Sequence, residues 1–190
     1  LSGNYRKDGY DIEQLLTITA ANAFPGMLLL DVRYVNKGVQ EATVTAWTSN
    51  ELRMKNTNRE EPVWSLQTSS TNARKDWILP VSEGFYQKNY MGMNNSDYGG
   101  GIPVSDLWRK DGGFAVGLTE MTLKLVSLPV QMNRNEDFAQ TGILYEYEYP
   151  VDFKQNDTIQ TYSSFISVHT GDFFNPLKQF SSYMQSQGIT

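Results

Sequence analysis

Over most of the chain apolar positions recur every second residue, the spacing of a strand that turns one face inward and the other to water. The pattern predicts strands at residues 11–19 and 27–35, with Phe24-Pro25-Gly26 as the turn between them. Residues 27–48 read as a hairpin: Asp31-Val32-Arg33-Tyr34-Val35, a turn at Asn36-Lys37-Gly38, then a return strand with Ala42, Val44 and Ala46 on one face. Residues 50–76 turn polar, a long excursion in which Val63, Trp64 and Leu66 supply the buried anchor. A second hairpin is predicted with strands at 104–108 and 114–118, joined through Arg109-Lys110-Asp111-Gly112-Gly113. A strand follows at 123–130, and Pro129 places its end at an edge or bulge because proline cannot donate to a ladder.

The clearest alternation sets Ile143, Tyr145, Tyr147 and Tyr149 against Leu144, Glu146 and Glu148, which puts the rings on one face and the carboxylates on the other. After a turn at Gln155-Asn156-Asp157, residues 158–169 form another strand with Tyr162, Ile166 and Val168 in phase. Only the end of the chain changes period. Asn175 suits a helix cap, Pro176 the first turn, Leu177, Phe180 and Met184 share a stripe, and Gly188 suits the position past the end. Many short strands, no alternation of strand and helix and no internal repeat predict an all-β fold, an antiparallel β-sandwich with one C-terminal helix. The expected division is a sandwich over residues 1–172 and a helix over 173–190.

The chain has 190 residues, enough for one well-cored domain. Hydrophobic residues make up 39% and charged residues 19%, with no block of like charge, so a packed core is expected rather than disorder. The formal charge is −5 and the basic residues are scattered, which leaves no cationic track for a phosphate backbone and argues against nucleic acid. No run of eighteen apolar residues is present, so no membrane-spanning helix is expected. Cysteine is absent, which removes disulfides and thiolate chemistry from consideration. Aromatic residues reach 13%, a level that serves both β cores and sugar-binding surfaces.

Candidate chemistry concentrates in residues 87–103, where Asn94, Asn95, Ser96, Asp97 and Tyr98 precede three consecutive glycines at 99–101. Amides and a carboxylate offer the paired donors and acceptors that neighbouring sugar hydroxyls require, and glycine lets another molecule approach the backbone. The same residues also suit a long connection in which Asn and Asp bond their own main chain. A phosphate cradle does not fit, because Ile102-Pro103-Val104 stands where Lys-Ser/Thr and a helix would be needed.

The stretch 89–108, supported by Trp77-Ile78-Leu79-Pro80, Gly117-Leu118-Thr119-Glu120, residues 125–130 and 165–169 and Gly171-Asp172-Phe173-Phe174-Asn175-Pro176-Leu177, resembles the N-terminal domain of family 36-type α-galactosidases, the melibiases. That resemblance implies a galactose-mutarotase-like supersandwich, followed in the complete polypeptide by a catalytic TIM barrel whose two Asp residues act as nucleophile and acid/base. It implies that Asn94, Asn95, Ser96, Asp97 and Tyr98 face a sugar pocket, with Trp77 as a stacking wall, although Trp77 also suits a packed position. The implied partners are an α-galactoside or related sugar and the barrel of the same polypeptide. The sequence does not fix the compartment, and the resemblance favours periplasmic or secreted in bacteria over cytoplasmic.

No catalytic residue is assigned to this chain. Retaining glycosidases need two carboxyl groups about 5 to 5.5 Å apart, and the spacing of Asp97, Asp106, Asp111, Glu120 and Glu146 gives no pair that a sandwich would join. No cofactor and no metal site are expected, since His169 is the single histidine and Asn156-Asp157 reads as a turn. Two further readings stand beside the accessory-domain reading. One is an autonomous carbohydrate-binding module. The other is a mutarotase-like enzyme that would use His169 on a free sugar, although a strand-end histidine is better explained as a hydrogen-bonded structural residue.

Overall fold

The period-two pattern folds as strands, and the final stripe as a helix. The computed structural model describes residues 1–58, 60–68, 77–88, 101–122 and 124–189. In chain order its elements are β1 (Ser2–Lys7), β2 (Tyr10–Ala20), β3 (Met27–Asn36), β4 (Ala42–Lys55), β5 (Trp64–Gln67), β6 (Ile78–Pro80), β7 (Tyr86–Gln87), β8 (Val104–Arg109), β9 (Gly112–Leu118), β10 (Val130–Gln131), β11 (Phe138–Phe153), β12 (Thr158–Gln160), β13 (Ser164–His169) and α1 (Phe174–Ser186). The larger sheet runs β1-β2-β3-β13-β9-β8-β5-β6, with β12 also on β3, and the smaller runs β4-β11-β10-β7. The architecture is the expected antiparallel sandwich, with one helix among the described residues.

Between the sheets, Val116 and Leu118 of β9 meet Trp47 of β4 and Ile143 of β11. Leu107 of β8 meets Val63, Val81, Val130 and Ala139. A third cluster lies on the outer face of the larger sheet, where α1 lays Phe180 on Met27, Val104, Ala115 and Phe165. The Phe165 and Phe180 rings stack with centroids 5.4 Å apart. The helix therefore belongs to the sandwich's own packing. Each buried aliphatic or aromatic side chain of this kind contributes roughly 1.5–3 kcal/mol.

Several elements differ from the sequence reading, each for a physical reason. β3 and β4 do not form a hairpin: β3 pairs with β2 and β13, whereas β4 pairs with β11 in the other sheet. The corner between them is bonded inward rather than turned back. Fully buried Asn36 donates its Nδ2 to the carbonyls of Gln40 and Phe153 at 2.9 and 2.8 Å, while its Oδ1 accepts from Gly38 N at 3.0 Å. Residues 158–169 split into β12 and β13 at buried Thr161, whose Oγ1 donates to Val32 O at 3.0 Å. Along β11 the register with β4 shifts between Glu146 and Val151, so Tyr145 and Tyr147 pack on the core but Tyr149 is 74% exposed. Instead of a continuous strand at 123–130, there is an isolated bridge from Ser127 to Leu144 followed by β10.

Strand β9 is the centre of the larger sheet, and its faces are unlike. Phe114, Val116 and Leu118 point between the sheets, whereas Gly113, Ala115 and Gly117 leave room on the outer face. A methyl group on Gly117 would lie 2.6 Å from Phe165 Cε1 and closer still to the carbonyl of Pro103. Gly117→Ala is therefore expected to lower stability by roughly 1–3 kcal/mol through overpacking, seen as a reduced urea midpoint with an unchanged slope.

Candidate functional site

The sugar-facing residues expected from sequence, Asn94, Asn95, Ser96, Asp97 and Tyr98, lie outside the described residues; the anchors on either side of them do not. β5 runs antiparallel to both β6 and β8, with Leu66 opposite Ile78 and Asp106 and with Gln67 opposite Ser105. Trp77, which is half-buried just before β6, thus sits at the same end of the larger sheet as Thr68 and Val104. Thr68 is almost wholly buried, and its Oγ1 donates to Ile102 O at 2.8 Å, fastening the exit of the Asn- and Gly-rich segment to β5.

Entry is fixed from the other sheet. Gln87 of β7 pairs with Val130, which pairs in turn with Thr141 of β11. Thr141 Oγ1 donates to Ser105 Oγ at 3.0 Å across the core. Beyond β7, Lys88 Nζ contacts the Glu146 carboxylate. The described residues on either side of the segment therefore lie in the two sheets, at the end of the sandwich where that cross-sheet bond lies. Against its exit runs a mainly apolar groove of about 480 Å³, with Ile102, Pro103 and Leu118 on one wall and Leu177, Met184 and Ile189 on the other.

At the other end of β8 and β9 lies a pair of residues that sequence reasoning named separately and did not join. The His169 side chain is 5% exposed and Asp106 is 0% exposed, and His169 Nε2 donates to Asp106 Oδ1 at 2.9 Å. His169 stands opposite Gly113 on β9, so its ring crosses that strand where no side chain obstructs it. Burial acts to lower the imidazolium's pKa, but the hydrogen bond and charge of Asp106 outweigh it and hold His169 above its ordinary value. Burial pushes the Asp106 carboxyl up, with the His169 hydrogen bond opposing. As a unit the pair holds protons more tightly than its groups would in water. The signal for it was Asp106 in phase with Val104 and Trp108, a carboxylate on an apolar strand face that requires a donor, in a chain with a single histidine.

This placement answers the mutarotase reading, because His169 is spent on a buried partner and lies away from the groove. Among the described residues the other candidate carboxylates are dispersed. Glu120 Oε1 accepts from Ser163 N at 2.7 Å, Asp111 occupies the turn between β8 and β9, and Glu146 contacts Lys88. Asp157 Oδ2 accepts from Lys154 N at 2.8 Å, which makes Asn156-Asp157 a turn as expected.

Comparison with known proteins follows the same lines. No family model matches the chain. A curated protein, the A type blood α-D-galactosamine galactosaminidase of Flavonifractor plautii, is 33% identical over 93 residues, which is 49% of this chain and 8% of that protein. Among solved structures, the GH36 α-galactosidase AgaA of Geobacillus stearothermophilus in complex with raffinose aligns over 89% of this chain and 23% of its own, with a TM-score of 0.63 and 13% identity. The α-galactosidase of Lactobacillus brevis aligns over 97% of this chain and 27% of its own, with a TM-score of 0.62 and 11% identity. The chain thus has the fold of a sandwich portion of GH36 α-galactosidases, spanning about a quarter of their length. At these identities the structural likeness establishes the fold.

Thr68→Val keeps the shape of the anchor but removes its donor, and is expected to cost about 1 kcal/mol. In hydrogen exchange, the loss of protection should concentrate at Val104 and Ser105 rather than across the whole of β8.

Proposed function

We propose that this chain is the non-catalytic sandwich domain of an α-galactosidase-like glycoside hydrolase, and that Asn94, Asn95, Ser96, Asp97 and Tyr98 help line the sugar pocket of a catalytic barrel in the same polypeptide. The observation that carries the proposal is the anchoring of the described residues on either side of 89–100, Gln87 in the smaller sheet and Ile102 beside the larger one. The exit side is fastened by a buried strand and a buried Thr68 bond, and the entry side lies in β7 of the opposite sheet. Flanks anchored in both sheets bring a polar, glycine-rich connection to one end of the sandwich, where a sugar held by another part of the polypeptide would meet it. Trp77, at the same end of the sheet, would serve as a wall for the apolar face of a sugar ring. The fold shared with solved α-galactosidases, one of them in complex with raffinose, and the partial match to a galactosaminidase favour a galactose-type sugar.

Catalysis then belongs elsewhere in the polypeptide. A retaining mechanism requires one carboxylate to attack and one carboxylic acid to protonate the leaving oxygen across a gap of about 5 to 5.5 Å. Asp106 is committed to His169 beneath the surface, Glu120 accepts from the Ser163 backbone N–H, and Asp111 lies in the β8–β9 turn. The contribution of this domain is binding energy and orientation, which act on a reaction whose bond changes occur in the barrel.

In the complete polypeptide, Asn95→Ala and Asp97→Ala should each raise KM for an aryl α-galactoside by roughly tenfold, equivalent to about 1.4 kcal/mol of lost binding. Glu148→Ala, on an exposed stretch of β11, should leave kinetics unchanged. The 190-residue chain alone should show no turnover and no calorimetric signal with millimolar galactose. Unchanged kinetics in both variants, or turnover by the chain alone, would refute the assignment, whereas strong sugar binding by the chain alone would favour an autonomous carbohydrate-binding module.

A further inference from the structure

We propose that Asp106 and His169 form a pH-gated latch that docks helix α1 on the outer face of the larger sheet, engaged while the imidazole carries its second proton and weakened when that proton is lost. The proposal rests on the geometry of the pair and does not depend on what the rim binds.

Both ring nitrogens of His169 face oxygen atoms that can only accept. Nε2 meets Asp106 Oδ1 at 2.9 Å, and Nδ1 lies 3.3 Å from Thr170 O. A neutral imidazole carries one N–H and can serve one of them; the imidazolium serves both. Removing the proton sets a lone pair against an oxygen lone pair, either at the buried carboxylate or at the Thr170 carbonyl. Asp106 adds to the demand for a cation, since its Oδ2 is buried and has no hydrogen-bond partner among the described residues.

The same carbonyl ties down the helix. Asn175 Nδ2, in the first turn of α1, donates to Thr170 O at 2.6 Å, and Asp172 Oδ1 accepts from Phe174 N at 3.1 Å. Phe173 lies on the Trp108 ring with centroids 5.5 Å apart. The first turn is thus held to the sheet through residues 169–175, with the imidazole at the base of the arrangement. Further along, Gln179 Nε2 donates to Pro25 O at 2.7 Å and Gln179 Oε1 accepts from Ser167 Oγ. Neither of those groups titrates in this range.

The groups that face His169 set the sign of the effect. Asp106 from β8 and Asp172 from the turn both favour its charged form, and β9 presents only Gly113. His169 is held above its unfolded value, so its contribution is complete below about pH 6.5 and is lost as pH rises through the folded value. The latch therefore loosens in mild alkali, not in acid.

Because the chain has one histidine, a single ring resonance reports its protonation. An NMR titration of the 190-residue chain should place His169 above its ordinary value of about 6.5. Amide protection in α1, corrected for intrinsic exchange, should fall through the same titration by about tenfold for each unit of that elevation. In Asp106→Asn the histidine should titrate below 6.5, because burial remains and the compensating charge is gone. In His169→Gln, which keeps a donor toward Asp106, α1 protection should lose its dependence on pH between 6 and 9. A wild-type histidine titrating at or below its ordinary value, or a pH dependence that survives in His169→Gln, would overturn the latch. If Asp106→Asn does not fold, the wild-type titration and His169→Gln decide between these outcomes.

Discussion

The two faces of β9 set the terms for the whole domain. Its inner face carries Phe114, Val116 and Leu118 into the space between the sheets, and its outer face is reduced to Gly113, Ala115 and Gly117. Large side chains inside bring the two sheets together, and small ones outside let rings from the next strand cross over. Phe165 crosses at Gly117 and His169 at Gly113. Each crossing builds part of the platform for α1, an apolar stack at one point and a charged, hydrogen-bonded hub at the other. The helix thus ties together the two ends of the sheet, from the buried pair near its first turn to the groove beside Ile102 near its last.

Much of this was legible in the sequence because it is written in local periodicity. The β8–β9 hairpin, the sandwich class and the final helix follow from alternation, turn residues and the Leu177, Phe180, Met184 stripe. What local pattern cannot carry is the choice of partner. Residues 27–48 contain two strands flanking turn-like residues, and nothing local reveals that Asn36 folds inward and sends β4 into the other sheet. β1 was missed although Asp8-Gly9, both at positive φ, is a strong hairpin signal; the apolar content around it is too low to mark a strand, and all of β1 is exposed.

The candidate site divides in the same way. Residue types in the segment 94–98 and their resemblance to α-galactosidases were readable directly, as was the suitability of Trp77 for either packing or stacking. The anchoring was not, because Thr68 and Ile102 are 34 residues apart and meet only through the β5–β8 ladder. Asp106 and His169, 63 residues apart, illustrate the point more sharply. Each was visible as a chemically notable residue, and only the tertiary crossing of β9 shows that they neutralise one another. Buried charge at this position is structural in the domain.

The central claim is that a segment whose flanks are fixed by both sheets presents its amides and carboxylate to a sugar held largely by another part of the polypeptide. A crystal structure of the complete polypeptide with bound galactose tests it most directly. The account predicts polar atoms of Asn95 or Asp97 at roughly 2.7–3.2 Å from sugar hydroxyls, with the catalytic carboxylates contributed from outside residues 1–190. Finding residues 94–98 folded against the sandwich itself, remote from the sugar, would contradict it.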